Sequence, residues 1–382
     1  MNPIVIIGTG LAGYQLAREF RKIDQTSPLA IVTADDGKYY SKPQLSIALT
    51  SGKTADALPT ATAEMMAHQL NAAIGTQAYV STINTQEKFI LLNNNEKIFY
   101  SKLILACGAD VIKPQLEGNA ANEVLSINHI YHYAEFRDLI QHKNRIAILG
   151  AGLIGCEFAN DLSNAGYEVH VIAPVKAPLD LLVPERVGKA LQIALEHNGV
   201  HFHFPCVANR IDKQDNGNYS LELTNGSELE VEFVLSAIGL KPHTKLAHSA
   251  GIAVDRGVIV NRYLETSIPD IYALGDCAEV EGHVLPYITP LLNCSRALAR
   301  TLAGTRTAVD YPAMPVIVKT PAHPLAVCPP PKNSIGDWKI EAVDNNVRAL
   351  FYDDQQMLRG FVLTNEAVKE RAALAKQIPA LF

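Results

Sequence analysis

Two stretches of this chain read almost alike: PIVIIGTGLAGYQLAREF from residue 3 and RIAILGAGLIGCEFANDL from residue 145. Each opens with a run of β-branched and aliphatic residues, turns through G-x-G-x-x-G, and continues with apolar residues at helical spacing. The glycines are Gly8, Gly10 and Gly13 in the first and Gly150, Gly152 and Gly155 in the second. Few folds tolerate this pattern. The first glycine allows a tight strand-to-helix turn, the second lets a pyrophosphate approach the backbone, and the third lets the helix sit close to the sheet. A phosphate would then meet the free N–H groups at the helix N-terminus. The spacing predicts a strand, a turn and, in the first copy, a helix running to about Lys22. The two copies lie too far apart for a solenoid period, so they imply two separate nucleotide folds.

An acid about 20 residues after the third glycine completes such a fingerprint by meeting the ribose hydroxyls. Asp35 stands at that distance in the first copy, with Asp36 as a possible substitute. The second copy ends its next strand in Ala173-Pro174-Val175-Lys176, with neither a carboxylate nor an arginine cluster for a 2′-phosphate. That absence tilts the second site towards NADH over NADPH. Lys176 alone reads as a solvated side chain.

The rest of the chain supports an α/β reading. Continuous apolar runs recur at 28–33, 102–109, 167–174 and 232–239, as expected of parallel strands buried on both faces. An apolar strand also ends at Ala273-Leu274-Gly275-Asp276. Its aspartate could accept hydrogen bonds from a polyol, and a helix near residues 288–302 could point its N-terminus at a ring that gains negative charge. After Tyr311 prolines crowd together. Then WKIEAV, VRALFYD and MLRGFVLT suggest a small antiparallel sheet with a closing helix.

At 382 residues the chain exceeds the ~250–300 at which single cores stop growing, so two or three domains are expected. A net charge of −6 gives no electrostatic support to a nucleic-acid role. Cys107, Cys156, Cys206, Cys277, Cys294 and Cys328 are dispersed, without C-x-x-C. They read as reduced, mostly buried thiols in a cytoplasmic protein, and no metal site is expected. The apolar N-terminus lacks the basic flank of a signal peptide, and no run approaches the ~18 residues of a membrane span.

SKPQLS, residues 41–46, occupies the slot where several two-electron enzymes carry a reactive cysteine. Here there is no thiol. Lys42 could be a turn-capping side chain or a cation beside a cofactor. Glu157, two residues after Gly155, could be a favourable charge on the first turn of its helix or a partner for a lysine such as Lys42.

Taken together, the two fingerprints, LACGA at 105–109, SAIGLKPHT at 236–244 and YALGDCAEV at 272–280 resemble the pyridine nucleotide-disulfide oxidoreductase superfamily. Y-x-K-P-x-L-S resembles its ferredoxin and rubredoxin reductase branch. Adding TADDGKYYSKPQLS and MPVIVKTPAHPL, the likeness extends to the rubredoxin–NAD reductases of alkane-degrading bacteria. That resemblance implies an enzyme with FAD on the first fold and NADH on the second. Thr9, Gly10, Leu11 and Ala12 should line the FAD pyrophosphate. Thr33, Ala34 and Asp35 should lie by the adenosine ribose, and Val80 by the adenine. Ala34 stands where the wider superfamily usually has glutamate. Gly108 belongs to the linking turn, and Gly275 with Asp276 should meet the ribityl chain. Ile288 and Lys319 should sit at the isoalloxazine ring, with Lys42 and Glu157 near its N5.

The expected fold class is α/β: two Rossmann-like dinucleotide-binding domains with a small α+β C-terminal domain. Its expected partition is 1–110 and 244–311 for FAD, 111–243 for NAD(P)H and 312–382 for the C-terminal domain. The expected activity is electron transfer from NADH through flavin to rubredoxin, met transiently, and onward to an alkane monooxygenase. Two rivals are reduction of a ferredoxin or a flavorubredoxin-type carrier, and a flavin- and NAD-binding redox sensor.

Overall fold

The computed structural model describes residues 1–343 and 346–382. They fall into two compact units. One comprises Met1–Lys42, Ala57–Asp110 and Leu240–Tyr311; the other comprises Pro43–Asp56, Val111–Gly239 and Pro312–Phe382.

The first unit is built on a parallel sheet in the order Ile271–Ala273, Lys102–Leu105, Ile4–Ile7, Leu29–Val32, Ala73–Gly75. Ile4, Val5, Ile6 and Ile7 are all buried, as a central strand covered on both faces requires. Its neighbours are Leu29–Val32 on one side and Lys102–Leu105 on the other. The chain leaves this strand in one direction and later returns on the opposite side. In an open parallel sheet such a switch point leaves a crevice at the strand's carboxyl end, the end at which Gly8 stands. The helix Leu11–Arg21 turns Tyr14, Leu16, Ala17 and Phe20 inward. Each large apolar side chain buried this way contributes ~1.5–3 kcal/mol. The helix Ile288–Leu302 packs against it.

The second unit repeats the plan. Its parallel sheet runs Val200–His203, Glu168–Ile172, Arg145–Leu149, Phe233–Ser236, so the strand before Gly150 is again flanked by its successor and by a late-returning strand. The unit also holds the five-stranded antiparallel sheet of the C-terminal region, in the order Val316–Val318, Leu325–Cys328, Leu358–Thr364, Asn346–Asp353, Gly336–Val343. Its inner face buries Ala326, Leu350, Phe361 and Leu363 under the short helix Arg371–Ala375, whose Leu374 joins the cluster.

Two small antiparallel sheets add to the sequence expectation: Val80–Asn84 with Phe89–Leu92 and Lys97–Phe99, and Ala208–Lys213 with Tyr219–Leu223 and Glu228–Val231. In the latter, Asn216-Gly217 and Asn225-Gly226 supply the positive φ that tight hairpins demand, +84° and +83° at the glycines. Among the described residues, no helix is long and apolar enough to cross a membrane.

Candidate active site

In the first unit, Gly8 has φ +117°, and a Cβ there would stand 2.3 Å from the Ala106 carbonyl oxygen. A Cβ on Gly13 would come within 1.9 Å of the Gly8 oxygen. Both positions are closed to any side chain. At Gly10 the opposite holds, for a Cβ would meet nothing within 4 Å. Gly10 is the cap residue of the helix Leu11–Arg21, and no side chain caps that end. Open space therefore lies over a helix start that no side chain caps, which is the arrangement a pyrophosphate needs.

The end of the next strand is organised around Asp35. Its Oδ1 accepts from Thr33 Oγ1 at 2.7 Å, Thr9 Oγ1 at 3.1 Å and the Gly37 N–H at 2.9 Å. One aspartate oxygen thus ties the glycine turn to the strand end, and Tyr14 braces the same loop by donating to the Gly37 carbonyl at 2.5 Å. Asp36 is paired with Lys38 at 2.9 Å, and Ala34 is exposed. Of the two acids, Asp35 is the one built into the turn.

Gly275 joins this site through packing. Its φ is +77°, and a Cβ there would press within 2.7 Å of the Ala12 Cβ. That closeness sets Asp276 beside the first glycine helix. Burial pushes the Asp276 carboxyl up, opposed by the Lys42 cation, and burial holds the Lys42 ammonium down, opposed by Asp276, Asp35 and Asp110. Lys42 and Asp276 therefore feel each other across a desolvated space. Val80 opens its strand and is buried. Gly108, at φ +72°, sits in the linking turn and its carbonyl accepts from the His243 N–H at 3.0 Å. Ile288 begins its helix, 42% exposed. Cys277 is fully buried, with its Sγ on the Leu105 and Leu274 carbonyls, and burial pushes its thiol up to about 11. It is a packed thiol.

The second unit reproduces the turn. Gly150 has φ +111° with a Cβ position 2.6 Å from the Ala237 oxygen, Gly155 closes on the Gly150 oxygen at 2.1 Å, and Gly152 faces open space. The helix Leu153–Asn164 again starts without a side-chain cap. The cleft at the end of Glu168–Ile172 is lined by Pro174, Val175, Lys176, Ala177, Asp180 and Glu185. Two carboxylates thus reach this cleft from beyond the strand end, where sequence reading saw no acid.

Glu157 differs from expectation twice. The helix begins at Leu153, so Glu157 lies beyond the first turn, where the dipole is weak. Its cation is Lys319, with Nζ 2.7 Å from Oε2, in place of the suggested Lys42. Ser46 Oγ donates to the same oxygen at 2.6 Å, and the Lys319 N–H donates to Oε1 at 3.0 Å. One turn further on, Asp161 accepts from the N–H groups of Leu49 and Thr50 at 2.9 and 3.0 Å. Sequence reasoning missed Ser46 and Asp161. The i, i+4 spacing of Glu157 and Asp161 on one helix was the available signal.

The site residues fit two dinucleotides. Each turn offers uncapped backbone donors beneath open space, and the first adds Lys42 and Asp276, half-buried and opposite in charge. The fold and the sites define a flavin- and nicotinamide-dependent oxidoreductase. The chain belongs to the pyridine nucleotide-disulphide oxidoreductase family, which matches residues 2–301, and residues 308–378 match the rubredoxin binding C-terminal domain. Its cofactors are FAD and NADH. It is 50% identical to the rubredoxin-NAD(+) reductase of Alcanivorax borkumensis, with 100% of both chains covered. It is 36% identical to the nitric oxide reductase FlRd-NAD(+) reductase of Aliivibrio fischeri, covering 98% of each. Among solved structures, the ferredoxin reductase for the CYP199A2 system from Rhodopseudomonas palustris superposes with a TM-score of 0.89 at 22% identity, covering 99% of this chain and 95% of that one.

Proposed function

We propose that this protein passes electrons from NADH through FAD to rubredoxin. The observation that carries the reading is the joining of a rubredoxin-binding C-terminal domain to a two-nucleotide scaffold whose 41–46 turn holds no thiol. Without a dithiol or sulfenate relay there, electrons leave directly from the flavin. FAD supplies the chemistry, since it accepts a hydride and releases electrons one at a time. The chain supplies orientation and charge. The N–H groups after Gly10 would hold the pyrophosphate beside Thr9, Leu11 and Ala12, with Asp35 at the ribose and Val80 at the adenine. Asp276 would accept from ribityl hydroxyls. Lys42, Ile288 and Lys319 would border the isoalloxazine ring, where cations stabilise the negative charge that reduction brings. The N–H groups after Gly152 would hold the NADH pyrophosphate.

We further place the protein in the cytoplasm, where six unpaired cysteines stay reduced, and assign the delivered electrons to an alkane monooxygenase, as in the reductases the sequence resembles. A second reading, reduction of a flavorubredoxin-type carrier, draws on the relative from Aliivibrio fischeri. Stopped-flow mixing separates them. Rapid bleaching by NADH followed by fast reoxidation with rubredoxin, and slow reoxidation with ferredoxin or oxygen, is the expected result. Preference for another carrier would reassign the partner. Absence of bleaching by either nicotinamide would sink the reductase and leave a sensor.

A further inference from the structure

A lysine ammonium has three N–H donors and no acceptor. On Lys319 all three are engaged. Nζ donates to the Pro43 carbonyl, to Ser46 Oγ at 3.0 Å and to Glu157 Oε2 at 2.7 Å. The acceptors are fixed in turn, because Ser46 Oγ donates to that same Oε2 and the Lys319 N–H holds Oε1. Three segments distant in sequence thus close a ring, and Ser46 is its shared member, accepting from the lysine and donating to the glutamate. Ser46 and Glu157 are only 5% and 6% exposed. Desolvated charges of this kind are tolerable only when every hydrogen bond is made.

We propose that Ser46 is a positioning residue that keeps Lys319 hydrogen-bond-saturated, so that Lys319 acts on the flavin as a fixed positive charge and not as a hydrogen-bond or proton donor. The proposal rests on the reading that places Lys319 at the isoalloxazine ring. A saturated ammonium has no spare proton to offer a ring nitrogen, but its charge stays in one place. Alanine at 46 would free one Nζ–H and remove one donor from Glu157. The turn itself would stay anchored, since Asp161 holds the N–H groups of Leu49 and Thr50 independently of Ser46.

The test compares the flavin-loaded full chain with Ser46→Ala and Ser46→Cys. The first readout is the rate at which acetic anhydride labels Lys319, followed by peptide mass spectrometry. The second is the flavin midpoint potential, and the third is the division of any effect between kcat and KM for NADH. Losing one charge-assisted hydrogen bond should speed labelling about tenfold in Ser46→Ala. The potential should move to more negative values, because a mobile cation stabilises reduced flavin less. The fall should appear in kcat, with KM for NADH within about twofold, as for an interaction made only after substrate binds. Ser46→Cys keeps a weak donor and should fall between, and it stands in if the alanine variant fails to fold. Unchanged labelling would overturn the saturation argument. Faster labelling with an unchanged potential would overturn the action on flavin, and with it the placement of Lys319 at the ring.

Discussion

Gly8, Gly10 and Gly13 in the first unit are matched one for one by Gly150, Gly152 and Gly155 in the second, down to φ values of +117° and +111° at the leading glycines. The strand that follows each turn differs. In the first unit it delivers Asp35, locked to Thr9, Thr33 and Gly37. In the second it runs out at Ala173 and Pro174, and the carboxylates lining its cleft, Asp180 and Glu185, are exposed and come from further along. The first unit also carries the desolvated Lys42 and Asp276. On the proposed assignment, with FAD on the first fold and NADH on the second, the difference would separate a site that keeps its nucleotide from one that must release it each turnover. Matching turns would then supply a shared pyrophosphate grip, and the surrounding anchors would set residence time.

Placing valine at the two cradle positions should break the symmetry most sharply. At Gly10 and Gly152 a Cβ meets no atom within 4 Å, so both variants should fold, with the space for phosphate filled. Gly10→Val is expected to purify colourless. Gly152→Val should stay yellow yet lose reduction by NADH, with kcat/KM falling by at least about 10³, since it removes both the phosphate contacts and the productive pose. Absorbance at the flavin band and stopped-flow bleaching read these outcomes. A colourless Gly152→Val would mean the two nucleotides have been assigned to the wrong folds.

Lys42→Met probes the anchors of the first site. It removes the positive charge that opposes the desolvation of the half-buried Asp276, which should destabilise the flavin-free protein by about 1–3 kcal/mol at neutral pH. The sign with pH follows from the raised carboxyl. Because the folded protein holds the Asp276 proton more tightly than the unfolded chain, the penalty is present at pH above the folded-state value. It fades as pH falls through that value towards the ordinary 3.8. Thermal melts of variant and parent should therefore converge on acidification. Melts that stay parallel from pH 7 to pH 4 would contradict the Lys42–Asp276 couple.

Much of this was legible in the residues, and the limits are physical. Both glycine turns, the parallel strands and the helix Ile288–Leu302 follow from local pattern, because a turn or a buried strand is specified by its own few residues. The antiparallel hairpin sheets carried local signals too, in Asn216-Gly217 and Asn225-Gly226. The ring of Ser46, Glu157 and Lys319 carried none. Its members lie 111 and 162 residues apart, and either of two lysines could satisfy a lone glutamate on paper. Only the path of the C-terminal sheet brings Lys319, one residue past the strand Val316–Val318, to that helix face.

Asp35→Asn gives a smaller effect on the first site. The amide oxygen can still accept from Thr33, Thr9 and Gly37, so the turn should persist, but the charge offered to a ribose is gone. Losing a charged hydrogen bond costs about 1.5 kcal/mol, so the FAD dissociation constant should rise about tenfold, measured by flavin fluorescence on dilution. A change below twofold would shift the ribose contact away from Asp35.

The smallest effect is expected at Lys176, and it sharpens the contrast from the other side. This lysine lines the second cleft together with Asp180 and Glu185, and it is exposed. An exposed lysine facing a ligand's edge is screened and keeps its rotamer freedom, so its contribution should be within about 0–1 kcal/mol. Lys176→Gln should change KM for NADH less than about threefold and leave flavin content untouched. NADPH gives the discriminating reading. If the second site selects NADH because no strong cation awaits a 2′-phosphate, removing Lys176 should weaken the poor use of NADPH only slightly further. A collapse in NADPH turnover with NADH unaffected would show that Lys176 had been reading a phosphate after all, and that the second fold tolerates both nucleotides by design of this one residue.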